Sequence, residues 1–253
     1  MRRLRRTLLT AGITGFSVLA TPARAQQPPS KPAPAAAPDS THLTVDLRYV
    51  SAAGNARSTT LSTGDKLTHW AGPWTLSQEL QVIYGKNDST TVANFYHAAL
   101  RAAYAASPRF SGVGYVLWER DTPGGIVRRF EEGLGVAYKA LDLPHDKLSV
   151  EAGPTLVQER HAPQTDQSFA AARLAGAYHH LFEKKAVFEQ LVEFLPNLQQ
   201  TTDYRFNAKS TLSVPLSGVF ALSVSYDLRY THLPPAGRQT TDSFLTAGLQ
   251  LAL

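Results

Sequence analysis

The sequence predicts an all-β fold, a single antiparallel, up-and-down transmembrane β-barrel of about 12 strands. Three observations lead to this prediction. Apolar residues alternate with polar ones over most of residues 42–253, which is the period of a strand with one apolar face. Full charges recur on the polar face, and aromatic residues lie near the ends of the apolar face. This combination is typical of a barrel with lipid outside and a polar interior.

The N-terminal 25 residues have the pattern of a secretory signal peptide. Residues 1–6 are basic, residues 7–20 are mostly apolar, and Ala23-Arg24-Ala25 fits a small-x-small cleavage site. Residues 26–41 then predict a Pro/Ala-rich periplasmic linker, because a run such as QQPPSKPAPAAAP cannot bury a core. The barrel is expected over residues 42–253.

Composition argues against several classes of function. The chain has 25 Lys+Arg, 20 Asp+Glu and no Cys. Five of the arginines lie in the first 25 residues, which contain no acid, so the remaining chain has 20 charges of each sign. A balanced chain gives no electrostatic support for a nucleic-acid partner. Without cysteine there is no disulfide scaffold, thiolate nucleophile or cysteine-based zinc site.

The alternation can be followed along the chain from residue 43 to residue 253. Apolar positions recur at every second residue in eight clear segments: 43–49, 76–84, 96–104, 134–138, 174–178, 206–214, 220–230 and 245–253. Turn signals rich in Gly, Pro, Asn and Asp separate the segments. Counting the segments between turns gives twelve strands, at about 18 residues for each strand and its connection. An even number of strands returns both ends of a barrel to one side.

Aromatic girdles favour a membrane barrel over a secreted soluble sandwich or a lipocalin-like barrel. The aromatic residues expected at one rim are Tyr49, Tyr84, Tyr96, Phe130, Phe194, Tyr204 and Tyr230. Those expected at the other rim are Tyr104, Tyr115, Tyr138, Tyr178, Phe188 and Phe220. With both termini in the periplasm, six outward loops would centre near Gly54, Asp88, Gly124, Gln164, Gln199 and Ala236.

The charged face predicts a narrow lumen crossed by ion pairs. The candidate residues of this lumen charge network are Asp46, Arg48, Glu79, Arg101, Glu151, Glu189, Glu193, Arg205, Lys209, Asp227 and Arg229. Glu131, Lys139 and Arg173 fall on the same predicted face. Strands at ~4.8 Å spacing and ~40° tilt give a backbone radius of about 12 Å. The connections are short, so no loop is expected to plug the barrel.

Motifs for catalysis or cofactor binding are not found. Gly133-Leu134-Gly135 lacks the third glycine of a nucleotide loop and lies on a predicted strand. His179 and His180 are adjacent, so they face opposite sides of a strand and cannot bind one metal ion together. We therefore predict no catalytic, cofactor or metal site. The expected partners are outer-membrane lipid and the barrel-assembly machinery during insertion.

Segments of the chain resemble a known family. Thr246, Gly248, Leu251 and Leu253 match the last-strand pattern of outer-membrane barrels, with Leu instead of the usual aromatic residue at the end. Further segments are similar to the YdiY family of salt-induced outer-membrane proteins, a domain of unknown function: 49–61, 148–154, 214–216 and 225–230, followed by Pro234-Pro235. The resemblance covers residues 43–253. It implies the outer membrane of a Gram-negative bacterium and no established activity.

Three functions are compatible with these patterns. The leading hypothesis is a narrow or gated pathway for small solutes or ions. The alternatives are a structural or salt-stress-response barrel without transport, and an outer-membrane lipid-modifying enzyme that uses Ser and His at the lipid boundary. A polar lumen serves folding as well as permeation, so the pattern alone does not separate them.

Overall fold

A computed structural model describes residues 39–55, 58–87, 90–162, 165–183 and 185–253. The predicted signal peptide and most of the predicted linker lie outside these residues. So do the predicted loop centres at Asp88 and Gln164. Within the described ranges, no helix is long and apolar enough to cross a membrane.

Twelve antiparallel strands form one closed barrel, in which each strand pairs with its sequence neighbours and β1 pairs with β12. The strands are β1 Ser40–Ala53, β2 Ser58–Ala71, β3 Trp74–Asn87, β4 Thr90–Ala105, β5 Phe110–Asp121, β6 Ile126–Asp142, β7 Asp146–His161, β8 Thr165–Leu181, β9 Val187–Pro196, β10 Tyr204–Ser217, β11 Phe220–Thr231 and β12 Thr241–Ala252. The predicted fold class and strand number are confirmed. β1 begins two residues before the predicted start of the barrel at 42.

The two ends of the barrel carry different connections. One end, here called the terminal end, holds the start of β1, the end of β12 and five turns of two to five residues. The opposite end, here called the loop end, holds six connections, of which 197–203 and 232–240 are the longest. The four predicted loop centres that the structure describes, Gly54, Gly124, Gln199 and Ala236, belong to the loop end.

Exposure shows that the apolar face points away from the barrel axis. On β11, Leu222 and Val224 are 43% and 41% exposed, whereas Ser223 and Ser225 are 1% and 2% exposed. Pairing with β12 continues the pattern, because buried Thr246 lies opposite Ser225. An apolar exterior and a polar interior are the arrangement that lipid requires.

Outward-facing aromatic rings occur near both ends, as predicted. Tyr49, Tyr84 and Phe130 are exposed toward the loop end, and Tyr104 and Phe220 toward the terminal end. The second girdle also contains Trp74 and Phe110, which the sequence pattern did not assign to it. Trp74 packs edge-to-face on the predicted Tyr104, and Phe110 packs against the predicted Tyr138.

Tyr115 is the exception, because it does not belong to the girdle. Its hydroxyl donates a hydrogen bond to Thr155 Oγ1 at 2.9 Å, and Thr155 is buried inside the barrel. The prediction of Tyr115 on the lipid face was therefore wrong. The outward face of β5 is instead formed by Gly112, Gly114, Val116 and Trp118.

A cluster of apolar side chains lines part of the inner face near the loop end. Its members are Val50, Ala52, Ile83, Phe95 and Phe244. They come from β12, β1, β3 and β4, which lie on one side of the barrel with β2 between β1 and β3. The interior is consequently not uniformly polar.

Candidate functional site

The lumen encloses a cavity of about 550 Å³ whose walls come from every strand except β1. Side chains of both charges line it, together with residues of the loop-end connections. The charged residues point into the cavity because they occupy alternate positions along their strands, and alternate positions share the inner face. They form two groups, which are described in turn.

The first charge cluster lies toward the loop end. Its members are Glu119, Arg129, Glu131, Glu159, His161, Arg205, Asp227 and Arg229. They belong to β5, β6, β7, β10 and β11. Their mutual pairing allows charges to be buried, because an unpaired charge in the same surroundings would cost several kcal/mol.

Glu159 is the most enclosed acid of this cluster. Its side chain is 0% exposed. Arg129 Nε donates to Glu159 Oε1 at 3.1 Å, and Arg205 Nη1 contacts the same oxygen. His161 Nε2 lies against the second oxygen, Oε2. The negative charge of one carboxylate therefore compensates two arginines from different strands.

Glu119 joins opposite walls of the barrel. Arg129 Nη1 donates to Glu119 Oε1 at 2.9 Å, and Arg229 Nη1 donates to Oε2 at 3.2 Å. Glu119 is on β5 and Arg229 is on β11, so six strand steps separate them in either direction around the ring. The Arg229 guanidinium also lies 4.3 Å from the centroid of Phe95. This pair spans the lumen across its full width.

The second charge cluster lies deeper, toward the terminal end. It consists of Arg101, Glu151, Arg173, Glu193 and Asn207. Glu151 pairs with Arg101 of β4 at 2.9 Å and with Arg173 of β8. Arg173 also binds Glu193, which accepts a hydrogen bond from the Asn207 amide at 3.0 Å. These contacts form one chain of alternating charges.

The structure brings six of the eleven predicted network residues into these two clusters. They are Arg101, Glu151, Glu193, Arg205, Asp227 and Arg229. Asp46 and Arg48 form a separate ion pair at 2.8 Å on β1.

The other three predicted network residues lie apart. Glu79 and Lys209 line the cavity, but neither has an ion-pair partner within 4.0 Å among the described residues. Glu189 lies near the terminal end with a side chain that is 50% exposed, and its only ion-pair contact in the described chain is His179 Nδ1 at 3.9 Å. It therefore belongs to the mouth of the lumen rather than to the network.

Three central residues were not predicted from the sequence pattern: Glu119, Arg129 and Glu159. Counting in steps of two along each strand would have found them. Glu159 follows Glu151 at an even spacing on β7, and Arg129 precedes the predicted inward residue Glu131 on β6. Glu119 was missed because it shares a face with Tyr115, which had been assigned to lipid.

Tyr115 braces the second charge cluster from inside the barrel. Its ring lies beneath the Arg173 guanidinium, 4.9 Å from carbon to centroid. The ring packs against Gly133, where an added Cβ would clash with a carbon of the Tyr115 ring. Glycine is therefore required here by the close approach of an aromatic ring rather than by turn geometry.

We expect Gly133→Val to displace the Tyr115 ring and destabilise the barrel by about 1–3 kcal/mol, as overpacking of a filled site does. The measurement is the temperature at which the folded band is lost on a heat-modifiability gel. Gly112→Val is the matched control, because nothing lies within 4 Å of an added Cβ at that position. Equal unfolding temperatures for both variants would contradict this role of Gly133.

The longest connection of the loop end, residues 232–240, crosses the mouth of the lumen. Leu233, Pro234, Pro235 and Gln239 contribute to the cavity wall. An added Cβ at Gly125 would lie 3.2 Å from Arg238 Nε and 3.4 Å from Pro235 Cβ. Gly125 follows β5, on the wall opposite β11 and β12. The sequence analysis considered only a plug inside the barrel and did not predict a loop that lies across its mouth.

Asn55 fixes one side of this covering loop. Its amide Nδ2 donates to the Gln239 carbonyl at 3.1 Å and to Asp242 Oδ2 at 2.9 Å. The Gln239 backbone N–H donates in return to Asn55 Oδ1 at 2.7 Å. At the start of the loop, the His232 ring stacks on Tyr204 with centroids 4.6 Å apart. Both ends of the loop are thus held, while its middle spans the opening.

The histidine pair lies on opposite faces of β8, as predicted. His179 Nδ1 contacts Glu189, whereas His180 Nδ1 lies 2.8 Å from Asp146 Oδ1. Among the described residues, no group of three or more His, Asp or Glu side chains is arranged to hold a metal ion.

The fold defines a class of protein, the closed twelve-strand antiparallel β-barrel, and the solved structures that resemble it include outer-membrane porins. The NanC porin superposes with a TM-score of 0.57 at 11% identity, covering 83% of this chain and 100% of that one. The KdgM porin in complex with disordered oligogalacturonate gives 0.48 at 13% identity, covering 82% and 98%. An anion-selective porin from Comamonas acidovorans gives 0.41 at 11%, covering 85% and 99%. These likenesses concern the fold.

The chain belongs to the family described as Protein of unknown function, DUF481, whose model matches residues 45–252. This match confirms the resemblance to a YdiY-like domain of unknown function. No curated protein sequence matches the chain.

Proposed function

We propose that this protein is a narrow, gated pathway for small solutes or ions across the outer membrane. The observation that carries the proposal is the cavity of about 550 Å³, which is lined by charges of both signs and covered by the loop 232–240. A cavity of this kind offers polar surface to a hydrated solute. The two charge clusters restrict its width, so only small species are expected to pass.

The lumen charge network is part of this proposal. Cross-lumen pairs such as Glu119–Arg229 stabilise the closed barrel and set the narrowest point of the pathway. Acids and bases are nearly balanced along the walls, which gives weak selectivity between anions and cations. The protein is accordingly expected to act without catalysis or a cofactor.

An outer-membrane location is supported by the porin-like fold and by the exposed apolar exterior. We infer that the loop end faces outward and the terminal end faces the periplasm. The supporting observation is that the terminal end has the shorter turns, as periplasmic ends of such barrels do. The N-terminal segment is proposed to act as the export signal.

Epitope tags test this orientation on intact cells. A tag inserted after Gln200, in an exposed part of the loop end, is expected to be labelled without permeabilisation. A tag inserted after Pro144, in an exposed turn of the terminal end, is expected to be labelled only after permeabilisation. The opposite labelling pattern would reverse the orientation.

Osmotic swelling of liposomes tests the pathway. Vesicles containing the purified protein are expected to swell with a small amino acid and to remain unswollen with a trisaccharide, since the lumen is narrow. Absence of swelling with every solute would instead favour the structural or stress-response barrel. Release of fatty acid from the vesicle phospholipid in the same samples would favour the lipid-modifying enzyme.

A further inference from the structure

Three arginines form a row on the outer surface near the loop end. Arg120, Arg128 and Arg160 lie on the adjacent strands β5, β6 and β7. Each is the sequence neighbour of an inward-facing residue of the first charge cluster. Because successive side chains of a strand point to opposite faces, the three arginines point away from the lumen. Arg120 and Arg128 are exposed, and the side chain of Arg160 is 38% exposed. These three residues are called the arginine row below.

The pairing register places the three arginines at neighbouring positions on β5, β6 and β7. Arg128 is directly opposite Arg160 in the β6–β7 ladder. Glu119 is opposite Arg129 and Asp121 is opposite Ile126, so Arg120 lies across from the irregular segment Val127-Arg128 of β6. Directly opposed Cβ atoms are about 4.5–5.5 Å apart, and like charges in such positions destabilise a sheet. The row would therefore gain stability from a bound anion.

The protein itself supplies only part of the compensating charge. Arg160 donates two hydrogen bonds to the Asp166 carboxylate, both at 2.7 Å. Among the described residues, the one hydrogen bond of the Arg120 side chain is a long one, from Nε to the Thr122 hydroxyl at 3.4 Å. Arg128 has no hydrogen bond or ion pair within the described part of the chain. Three positive charges thus face one carboxylate.

The row lies at the depth expected for lipid headgroups. Trp118 and Phe130 are outward-facing, 40% and 37% exposed, and opposite each other across β5 and β6. They lie two residues from Arg120 and Arg128 on the side of the apolar band. Aromatic girdles mark the membrane interface, so the arginines just beyond them meet the polar headgroups.

We propose that the arginine row binds the phosphate groups of an outer-leaflet glycolipid, the lipid A part of lipopolysaccharide. Guanidinium groups bind phosphate oxygens in a bidentate manner. Neighbouring arginines on adjacent strands suit a ligand with closely placed anionic groups. The proposal uses the outward orientation of the loop end but does not depend on solute passage through the lumen.

The test measures binding of bisphosphorylated lipid A to the full-length protein in neutral detergent. The double variant Arg120→Gln/Arg128→Gln is expected to bind about 30-fold more weakly. Each arginine near an anionic surface contributes about 1 kcal/mol of binding free energy, and about 1.4 kcal/mol corresponds to a tenfold change in affinity. Arg109→Gln is the matched control. Arg109 is exposed at the terminal end, where its Nη1 donates to the Tyr138 hydroxyl, and its replacement should leave binding unchanged.

Further ligands distinguish the source of the phosphate. Dephosphorylated lipid A is expected to bind weakly to both the wild type and the double variant. Vesicles of phosphatidylglycerol that bind as tightly, with the same dependence on the two arginines, would overturn lipid A as the ligand. Displacement of lipid A by an equal concentration of inorganic phosphate would do the same.

Loss of affinity must be separated from loss of folding. Both replaced arginines are exposed, so the double variant should keep the heat-modifiable folded band. A second variant, Arg120→Lys/Arg128→Lys, keeps the charge and should bind more tightly than the glutamine variant. Wild-type affinity in a folded glutamine variant would overturn the proposal, whatever the outcome of the swelling assay.

Discussion

Glu159→Gln is expected to destabilise the barrel by about 3–5 kcal/mol, because it leaves two arginines in a buried site without their shared carboxylate. The carboxylate is fully enclosed and contacts Arg129, Arg205 and His161. A glutamine has nearly the same shape, so the loss would come from charge and hydrogen bonding rather than from packing. The readout is the unfolding temperature in detergent, followed by circular dichroism.

Glu189→Gln is the matched control for this substitution. It makes the same chemical change on the same inner surface, at a half-exposed site where solvent screens the charge. Its unfolding temperature should equal that of the wild type. An equally small effect of Glu159→Gln would mean that water fills the lumen and screens the first charge cluster.

Shortening the covering loop is expected to have the largest effect on permeation. Replacing residues 233–239 by a short Gly/Ser connection removes the side chains that cross the mouth, including Pro235 and Arg238. The strands β11 and β12 remain paired over eleven residue positions, so the barrel should still fold. The rate of liposome swelling should rise severalfold, and larger solutes should enter.

A matched control shortens the other long connection of the loop end. Residues 199–202 are exposed and do not line the cavity. Their removal should leave the swelling rate unchanged while altering the same rim of the barrel. Equal increases for the two deletions would indicate a general loosening of the loop end instead of a specific cover over the lumen.

The strand content could be predicted from the sequence because the signal is local. The alternation of apolar and polar residues in β11 identifies its outer and inner faces without information from any other strand. The alternation is regular because every second side chain faces lipid. Tyr115 shows where the rule fails. Aromatic residues are typical of girdles, but this one lies over Gly133, and only the strand pairing reveals that glycine as its neighbour.

The features that depend on barrel closure could not be predicted. Glu119 and Arg229 are 110 residues apart and meet only because the ring brings β5 opposite β11. The loop 232–240 has ordinary turn composition, and its contact with Gly125 likewise follows from closure. Candidate charges could therefore be named from their strand positions, but their partners could not.

The central claim is that a gated pathway runs through this barrel, and planar-bilayer recording tests it most directly. The wild-type protein is predicted to give small, reproducible single-channel steps, and the variant with the shortened 233–239 segment is predicted to give larger ones. The 199–202 deletion should match the wild type. A sealed bilayer with both the wild type and the 233–239 variant, each shown to be folded and inserted, would contradict the account.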